Sequence, residues 1–575
     1  MPEPTSPQPK KLSGYETVKE KSNYLRGTLK QTLESETTHF SKEEGDLLKP
    51  HGTYQQDDRD KRQEQVQHKK EPLYSMMVRT KIPGGRLTAD QYLAHDELAT
   101  KYGNGTLRIT DRQGFQFHGV LKKNLKTVIR KINECLVTTL GACGDNVRNV
   151  MACPAPLVDR KKTEILRYTK AISDQFLARG GAYYEIWLNG EKVKDKLPKS
   201  GEDPEPIYGK TYLPRKFKIA LAFLEDNCTD IYTNDIGIVP EIKNGELNGF
   251  NILVGGGLGM THGIPNTYPR LARPFCFVKP DDILALTKAI VLVQRDFGNR
   301  SDRKRARMKY LIDERGLDWF RAEVEKRFGK KTEPMHPIRW KGIDNHLGWH
   351  PAADGRWFYG LSIENGRVKD NGKLKLKSAI RAVVEKYKPE VYLTAQQDML
   401  FSGFQENQKK ELENLFLSFG VRLSEQVSNV QKDSMACPAL PTCGLAITEA
   451  ERIMPSVIDE LEQKVAQLGL SDQKMIIRMT GCPNGCARPY NAEIGLVGRT
   501  VGTYNIYVGG NLEGDRLAEL LVEKVPQKDL MTALTPLLET YKTRRRKNEG
   551  IGDFCFRLGV ESLRPLIPIF AVPPL

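Results

Sequence analysis

LRITDRQGFQFHGV at 107–120 lies over VYLTAQQDMLFSGF at 391–404 without a gap, and each copy runs on into a charged stretch with helical spacing. A second pair follows in the same order: FNILVGGGLG at 250–259 against YNIYVGGNLEG at 504–514. Units in the order A, B, A′, B′ mark a tandem duplication. Two copies, each long enough to hold a core, predict pseudo-two-fold packing rather than a solenoid. A cofactor belongs in the crevice between such halves. Runs rich in β-branched and aromatic residues, such as KFKIALAF and YNIYVGG, are separated by segments of helical type, among them LAELLVEKV at 517–525, so the predicted class is α+β.

The copies differ in charge. Read as one extended strand, the first copy puts Arg108, Thr110, Arg112, Gln116 and His118 on one face and Leu107, Ile109, Phe115 and Phe117 on the other. At the equivalent positions of the basic face the second copy carries Tyr392, Thr394, Gln396, Leu400 and Ser402, keeping the apolar framework without the cations. A lone pair of arginines on an edge strand ordinarily forms surface ion pairs. The contrast between copies instead favours a polycarboxylate ligand held by guanidinium forks. Further cations stand at Lys216 and Lys218, on one side of a strand and followed there by the small Ala220 and Ala222, and at Arg79 and Arg148 in turn-forming or Asn-rich surroundings.

Four cysteines form two loops rich in Pro and Gly: CPALPTC at 437–443 and CPNGC at 482–486. Such loops bend around a metal and expose N–H groups that hydrogen-bond to sulfur, one of the levers on reduction potential. Structural zinc competes with an iron–sulfur cluster for this quartet; the five residues between Cys437 and Cys443 exceed the usual zinc-knuckle gap and favour the cluster. The remaining Cys135, Cys143, Cys153, Cys228, Cys276 and Cys555 are expected to be small buried hydrophobes.

At 575 residues with a net charge of +16, the chain has room for three or four domains and a large buried cofactor. No long uncharged apolar segment predicts a membrane span, and the Pro-rich, polar opening MPEPTSPQPKKLSG is unlike a signal peptide, so the expected compartment is the cytoplasm, where ten cysteines stay reduced. The positive charge suits polyanions in general: acidic electron donors, anionic cofactors and oxyanions as well as nucleic acid. No aromatic–basic RNA-binding signature accompanies it, and a zinc-containing RNA-binding protein is the alternative from another functional class. The charged segment before Glu71 reads as an extension that wraps the body or is partly disordered, the plainest alternative being a solvated tail.

These residues carry a resemblance. YLRGTLK (24–30), HGTYQQDDRD (51–60), TYLPRKFK, QRDFGNRSDRK, SMACPALPTCGLA and MTGCPNGCARP together resemble the siroheme-containing sulfite and nitrite reductases, nearest to the hemoprotein subunits of the assimilatory NADPH-dependent branch. The resemblance spans nearly the whole chain. It implies duplicated ferredoxin-like and siroheme/iron–sulfur domains in pseudo-two-fold arrangement: an extension at 1–70, a first ferredoxin-like half-domain at 71–138 and a first siroheme-binding and substrate domain at 139–345. A second half-domain at 346–422 and an iron–sulfur/siroheme domain at 423–575 complete it.

It further implies a [4Fe-4S] cluster on Cys437, Cys443, Cys482 and Cys486, with the Cys486 thiolate shared with the siroheme iron. Siroheme-carboxylate contacts would fall on Arg108, Arg112, Gln116, His118 and Arg307, and substrate contacts on Arg79, Arg148, Lys216 and Lys218. The implied reaction is reduction of sulfite to sulfide in sulfate assimilation. LPRKFK leans toward sulfite over nitrite, since nitrite reductases of the family commonly carry Asn where Lys218 stands. A flavoprotein subunit that oxidises NADPH is the expected donor, with ferredoxin as the alternative, because the chain itself has neither a P-loop nor a G-x-G-x-x-G dinucleotide fingerprint.

Overall fold

The computed structural model describes residues 11–155, 159–179, 187–188, 191–192 and 205–570. The duplicated motif is a hairpin in each copy. Leu107–Ile109 and Phe115–Val120 pair antiparallel about a turn in which Gln113 adopts φ 53°, and Glu390–Leu393 and Met399–Phe404 repeat this with Gln397 at φ 75°. The single strand expected at 107–120 is thus corrected: Asp111-Arg112-Gln113-Gly114 supplies turn chemistry that reverses the chain. Register sets Leu107 opposite Phe117, Arg108 opposite Gln116 and Ile109 opposite Phe115. Alternation survives the reversal, so Arg108, Gln116 and His118 still share a face, whereas Arg112 moves to the turn.

Each hairpin anchors a five-stranded sheet, and each sheet takes its last strand from the other half. Arg367–Val368 adds to Leu107–Ile109, while Arg86–Leu87 adds to Glu390–Leu393. This reciprocal exchange makes the two half-sheets interdependent, and their apolar faces, including Leu107, Phe115, Phe117, Val391 and Phe401, share one buried core.

Two further sheets share one topology. Met151–Ala152, Ile219–Leu221 and Ile236–Lys243 run parallel, followed by antiparallel Glu246–Val254 and Arg273–Val278. Ser434–Ala436, Ile477–Thr480, Ile494–Thr500, Thr503–Val508 and Glu519–Pro526 repeat the pattern. The segment LAELLVEKV, expected to be helical, forms the last of these strands. Pairing with Thr503–Val508 and burial of Leu521 and Val525 override its helix-forming composition.

The loops leaving the parallel strands carry the cysteines, the position at which α/β sheets place their ligand sites. Cys437 follows Ser434–Ala436 directly, and Cys482 and Cys486 follow Ile477–Thr480. The N-terminal extension is part of the body from residue 13 to 60. Thr53–Asp57 is the edge strand beside Tyr74–Arg79, Lys19 is buried against Asp145, and Arg59 donates from Nη1 to the carbonyls of Cys443 (3.2 Å) and Ala446 (2.6 Å). The solvated-tail reading is thereby overturned for this stretch, and the wrapping one describes it.

The Gly-rich loop after Glu246–Val254 lies against the second cysteine loop, with the Met260 amide donating to the Pro483 carbonyl at 3.0 Å. Close approach requires glycine: a Cβ at Gly256 would fall 2.1 Å from the Tyr232 carbonyl oxygen and 2.5 Å from that of Asn234. Because backbone must shift to admit even one methyl, Gly256→Ala should destabilise the protein by about 1–3 kcal/mol, seen as a lowered thermal midpoint.

Candidate redox centre and cationic recess

The four sequence-selected cysteines gather at one place. Cys437 and Cys482 are buried, Cys443 is half-buried and Cys486 is exposed. Burial, and after it the charges of the other thiols, raises Cys437, Cys443 and Cys482 above the ordinary thiol range. Four thiolates so placed need a cationic centre. Hydrogen bonds from the Gly481 amide to Cys437 Sγ and from Asn484 Nδ2 to Cys482 Sγ, both 3.4 Å, are of the kind that tune a cluster. A tetrahedral zinc, with Zn–S near 2.3 Å, would draw the sulfurs to about 3.8 Å from one another. Among the described residues one group alone brings three or more ligand atoms within 4.8 Å of one another, and it is not this quartet. The wider spacing suits a multinuclear cluster.

Next to Cys486 lies a recess of cations. Arg79, Lys216 and Lys218 lie within electrostatic range of the Cys486 thiol, a smaller influence on each than burial. Lys216 and Lys218 precede the strand Ile219–Leu221 and keep partial solvent contact although protein surrounds them, which places them on the wall of a recess. Burial, followed by Lys218 and Arg215, pushes Lys216 far below its ordinary value; burial and then Arg112 lower Lys218 to about 8. Only the backbone of Lys218 is tied down, its amide donating to Asp235 Oδ2 at 2.8 Å. Arg148 is buried and held by the Gly144 carbonyl (2.9 Å) and the Ala142 carbonyl (3.3 Å), and it lies close enough to Arg112 to lower it.

The residues expected to hold a polycarboxylate divide into two groups. Arg112 donates to Asn234 Oδ1 (2.9 Å) and the Asn149 carbonyl (2.5 Å), leaving its buried Nε without a partner. Gln116 faces Arg79 across the strands, and with its amide turned so that the oxygen points at the guanidinium it accepts from Arg79 Nε at 3.2 Å. Both ring nitrogens of buried His118 lack a partner. Burial, then Arg367, lowers His118 to about 3, so its imidazole is neutral. Arg108, in contrast, is fully occupied: Nε on Glu451 Oε2 (2.7 Å), Nη2 on the Ala436 carbonyl (2.7 Å) and Nη1 on the Ile109 carbonyl. Arg307 pairs with Asp235, Nη2 to Oδ2 at 2.8 Å, in space that the missing side chain of Gly257 provides. Orphaned polar atoms on Arg112 and His118 beside an open thiol fit a buried, carboxylate-bearing group.

Comparison with known proteins bears on this site. The family model "Nitrite and sulphite reductase 4Fe-4S domain" matches residues 143–332 and 428–569, and "Nitrite/Sulfite reductase ferredoxin-like half domain" matches 68–135 and 350–418. The chain belongs to the nitrite and sulfite reductase family. Its 4Fe-4S and ferredoxin-like units each occur twice, in the order of the duplicated sheets. The chain is 44% identical over 549 residues to "Sulfite reductase [NADPH] hemoprotein beta-component" of Anoxybacillus flavithermus, covering 95% of this chain and 96% of that protein. It is 45% identical over 575 residues to "Sulfite reductase [ferredoxin]" of Synechococcus elongatus, covering 97% and 91%. The solved structure of the NirA protein of Mycobacterium tuberculosis shares the fold at a TM-score of 0.78 and 22% identity, covering 96% of this chain and 98% of that one. Membership of this oxidoreductase family leaves the RNA-binding alternative without support. No helix among the described residues is long and apolar enough to cross a membrane.

Several residues at the centre carry no motif. Glu451 accepts from both Arg108 and Arg367, Asp235 holds Arg307, and Asp230 pairs with Arg478 and Arg488, each at 2.9 Å. One signal existed: 219–239 superposes on 477–497 without a gap, setting Asp230 over Arg488 as opposite charges at equivalent positions. Two of the six cysteines expected to be buried hydrophobes require correction, because Cys153 and Cys228 converge with Asp226 and His346 on one polar cluster. Cys143, Cys276 and Cys555 are buried and Cys135 is half-buried. Removing a carboxylate that serves two buried guanidiniums leaves them uncompensated. Glu451→Ala should therefore cost about 3–5 kcal/mol, measured as a fall in the unfolding midpoint, together with reduced iron content as the cysteine loop loosens.

Proposed function

We propose that the chain is the siroheme- and [4Fe-4S]-bearing subunit of an assimilatory sulfite reductase, converting hydrogen sulfite, six electrons and six protons to hydrogen sulfide anion and three waters. The observation that carries this reading is the contrast within the quartet: Cys486 alone is exposed, and it is within electrostatic range of Arg79, Lys216 and Lys218. In this reading Cys437, Cys443, Cys482 and Cys486 would hold the cluster, and siroheme would sit on the side of the exposed Cys486. Bound there, the coupled pair supplies the electrons and the iron that receives substrate.

The remaining tasks fall to side chains. His118, Gln116 and Arg112 would bind the siroheme carboxylates, Arg307 presents its remaining donor beside Gly257, and Arg108 holds the cysteine loop through the Ala436 carbonyl. Arg79, Arg148, Lys216 and Lys218 bind the oxyanion. Like charges 4 Å apart repel by about 4 kcal/mol at an effective dielectric near 20, so an anion entering such a recess relieves an existing cost. Three oxygens must leave as water, which requires protons, and arginine is too weak an acid to give them. Lys218, lowered to about 8, is poised as a general acid, and Lys216, lowered further, takes its proton from solvent or from a neighbour.

Electrons come, in this proposal, from a flavoprotein that oxidises NADPH; ferredoxin is the second reading because relatives named for NADPH and for ferredoxin both match most of the chain. A net charge of +16 favours encounter with an acidic carrier. Steady-state turnover of sulfite against nitrite, first with a dye donor and then with each protein donor, decides substrate and partner together. Equal preference for nitrite would overturn the sulfite assignment.

Lys218→Met should lower kcat by about 100- to 10,000-fold while leaving iron, acid-labile sulfide and the siroheme spectrum intact. Loss of siroheme would show a structural role instead. In the wild type the donor is protonated below its pKa, so the rate should decline as pH rises through about 8. That limb of the pH profile should disappear from the residual activity of Lys218→Met.

A further inference from the structure

Cys153, Asp226, Cys228 and His346 lie outside the centre described above. All four are buried, and their ligand-type atoms lie within 4.8 Å of one another. Cys153 Sγ is 3.0 Å from Asp226 Oδ2 and 3.5 Å from His346 Nε2, and Nε2 is 2.8 Å from Oδ2. We propose that these side chains hold one structural zinc ion, distinct from the iron–sulfur centre and independent of the function proposed above.

The donor set is the first argument. Two thiols, an imidazole and a carboxylate are the groups zinc takes, and four of them converging at one point match its tetrahedral preference. With Zn–S near 2.3 Å and Zn–N or Zn–O near 2.0–2.1 Å, ligand atoms stand about 3.3–3.8 Å apart. The Cys153–His346 separation of 3.5 Å already lies in that range, the two separations to Asp226 Oδ2 need to open by about half an ångström, and Cys228 stands within 4.8 Å of the other ligand atoms.

The second argument is the surrounding shell. Asp226 Oδ1 accepts from the amides of Cys228 (2.9 Å) and Asp344 (3.1 Å), which leaves Oδ2 for the centre. His346 turns Nε2 inward while Nδ1 faces Asp344 Oδ2 at 3.8 Å, and its amide donates to Asp344 Oδ1 at 3.0 Å. A carboxylate behind the outer nitrogen of a ligating histidine fixes its tautomer and raises its basicity.

The third argument is the duplication. MACPA at 151–155 recurs as MACPA at 435–439, setting Cys153 over Cys437, and the gapless match of 219–239 with 477–497 sets Cys228 over Cys486. The first half therefore keeps two thiols where the second half keeps two ligands of its quartet. Cys482 is replaced there by Leu224, and Asn484 by Asp226. His346 completes the set from the segment that joins the two halves. A single ion would clip the end of Met151–Ala152, the loop 223–230 and the 344–346 link together.

The test uses the full-length holoprotein, purified without chelator, incubated with zinc sulfate and then desalted. Elemental analysis should give about one zinc per chain, and zinc-edge X-ray absorption should show two sulfurs near 2.3 Å with two N/O ligands near 2.0–2.1 Å. Cys228→Ser and His346→Asn should lower zinc at least about fivefold with iron and the siroheme spectrum unchanged. Three results would each overturn the proposal: no retained zinc in the wild type, an all-oxygen/nitrogen or four-sulfur shell, or full zinc content in Cys228→Ser. The wild-type absorption measurement stands even where a variant fails to fold. Because zinc and iron are counted separately, failure here leaves the sulfite reductase reading untouched, and loss of iron alone would leave the zinc site standing.

Discussion

Glu451 is the hinge of the assembly. Arg108 and Arg367 stand opposite each other on paired strands from different halves of the chain, an arrangement that would drive the strands apart if left alone. Glu451 takes Arg108 Nε at 2.7 Å and Arg367 Nε at 2.6 Å, so one carboxylate offsets two guanidiniums and closes the seam. The amide of Glu451 donates to the Cys437 carbonyl at 3.1 Å, and Arg108 grips the carbonyl of Ala436 just before it. The first cysteine loop is therefore located by the charge balance of a sheet built from both halves. A buried triad of this kind is weak as a source of stability because desolvation opposes it, but its geometry admits one arrangement of three segments.

That placement explains why the recess is cationic without disrupting the fold. Three nearby carboxylates are directed elsewhere, Glu451 to the seam, Asp235 to Arg307, and Asp230 to Arg478 and Arg488, which leaves Asp111 as the carboxylate acting on Arg79, Arg112 and Lys218. Lys216 and Lys218 are left among like charges, which add to burial in depressing their ammonium groups. Among the anionic groups acting on Arg79 and Lys218, the Asp111 carboxylate outweighs the exposed Cys486 thiol. An anionic cofactor and an oxyanion substrate would complete the balance, so the recess is a binding site by electrostatic deficit as much as by shape.

The duplication was legible because an apolar alternation and a Gly-rich turn survive divergence, and the cysteine spacing was legible because a cluster needs four thiols in bent loops. Less legible were features that depend on what meets what. The reversal at Asp111–Gly114 was hidden by apolar residues that happen to keep step on both sides of the turn. LAELLVEKV has a helical composition and becomes a strand because its partner Thr503–Val508 presents an open edge. Arg108 was recognisable as part of a basic face, but its saturation by Glu451, some 343 residues away, has no local signature. His346 and Asp226 carry none either, since a metal-type cluster drawn from three separated segments leaves no spacing to read.

Duplicate folds offer two equivalent sets of loops, and the differences at equivalent positions specify what each set can hold. In the second half, Cys437 and Cys486 are joined by Cys443 and Cys482, and the thiols stand far enough apart for a multinuclear cluster. In the first half, Leu224 at the place of Cys482 packs with Tyr232 and Trp340 around a small apolar cluster, so a thiolate there would face hydrocarbon. Asp226, in place of Asn484, then brings a charge that an amide could not, and His346 closes the distance to a single-ion geometry. The same divergence appears at Asp230 and Arg488, both in the left-handed region at φ 49° and 58° and paired with each other at 2.9 Å. Two sites that began alike are thus held in register by an ion pair between equivalent residues, one copy shaped toward electron transfer and the other toward holding the halves together.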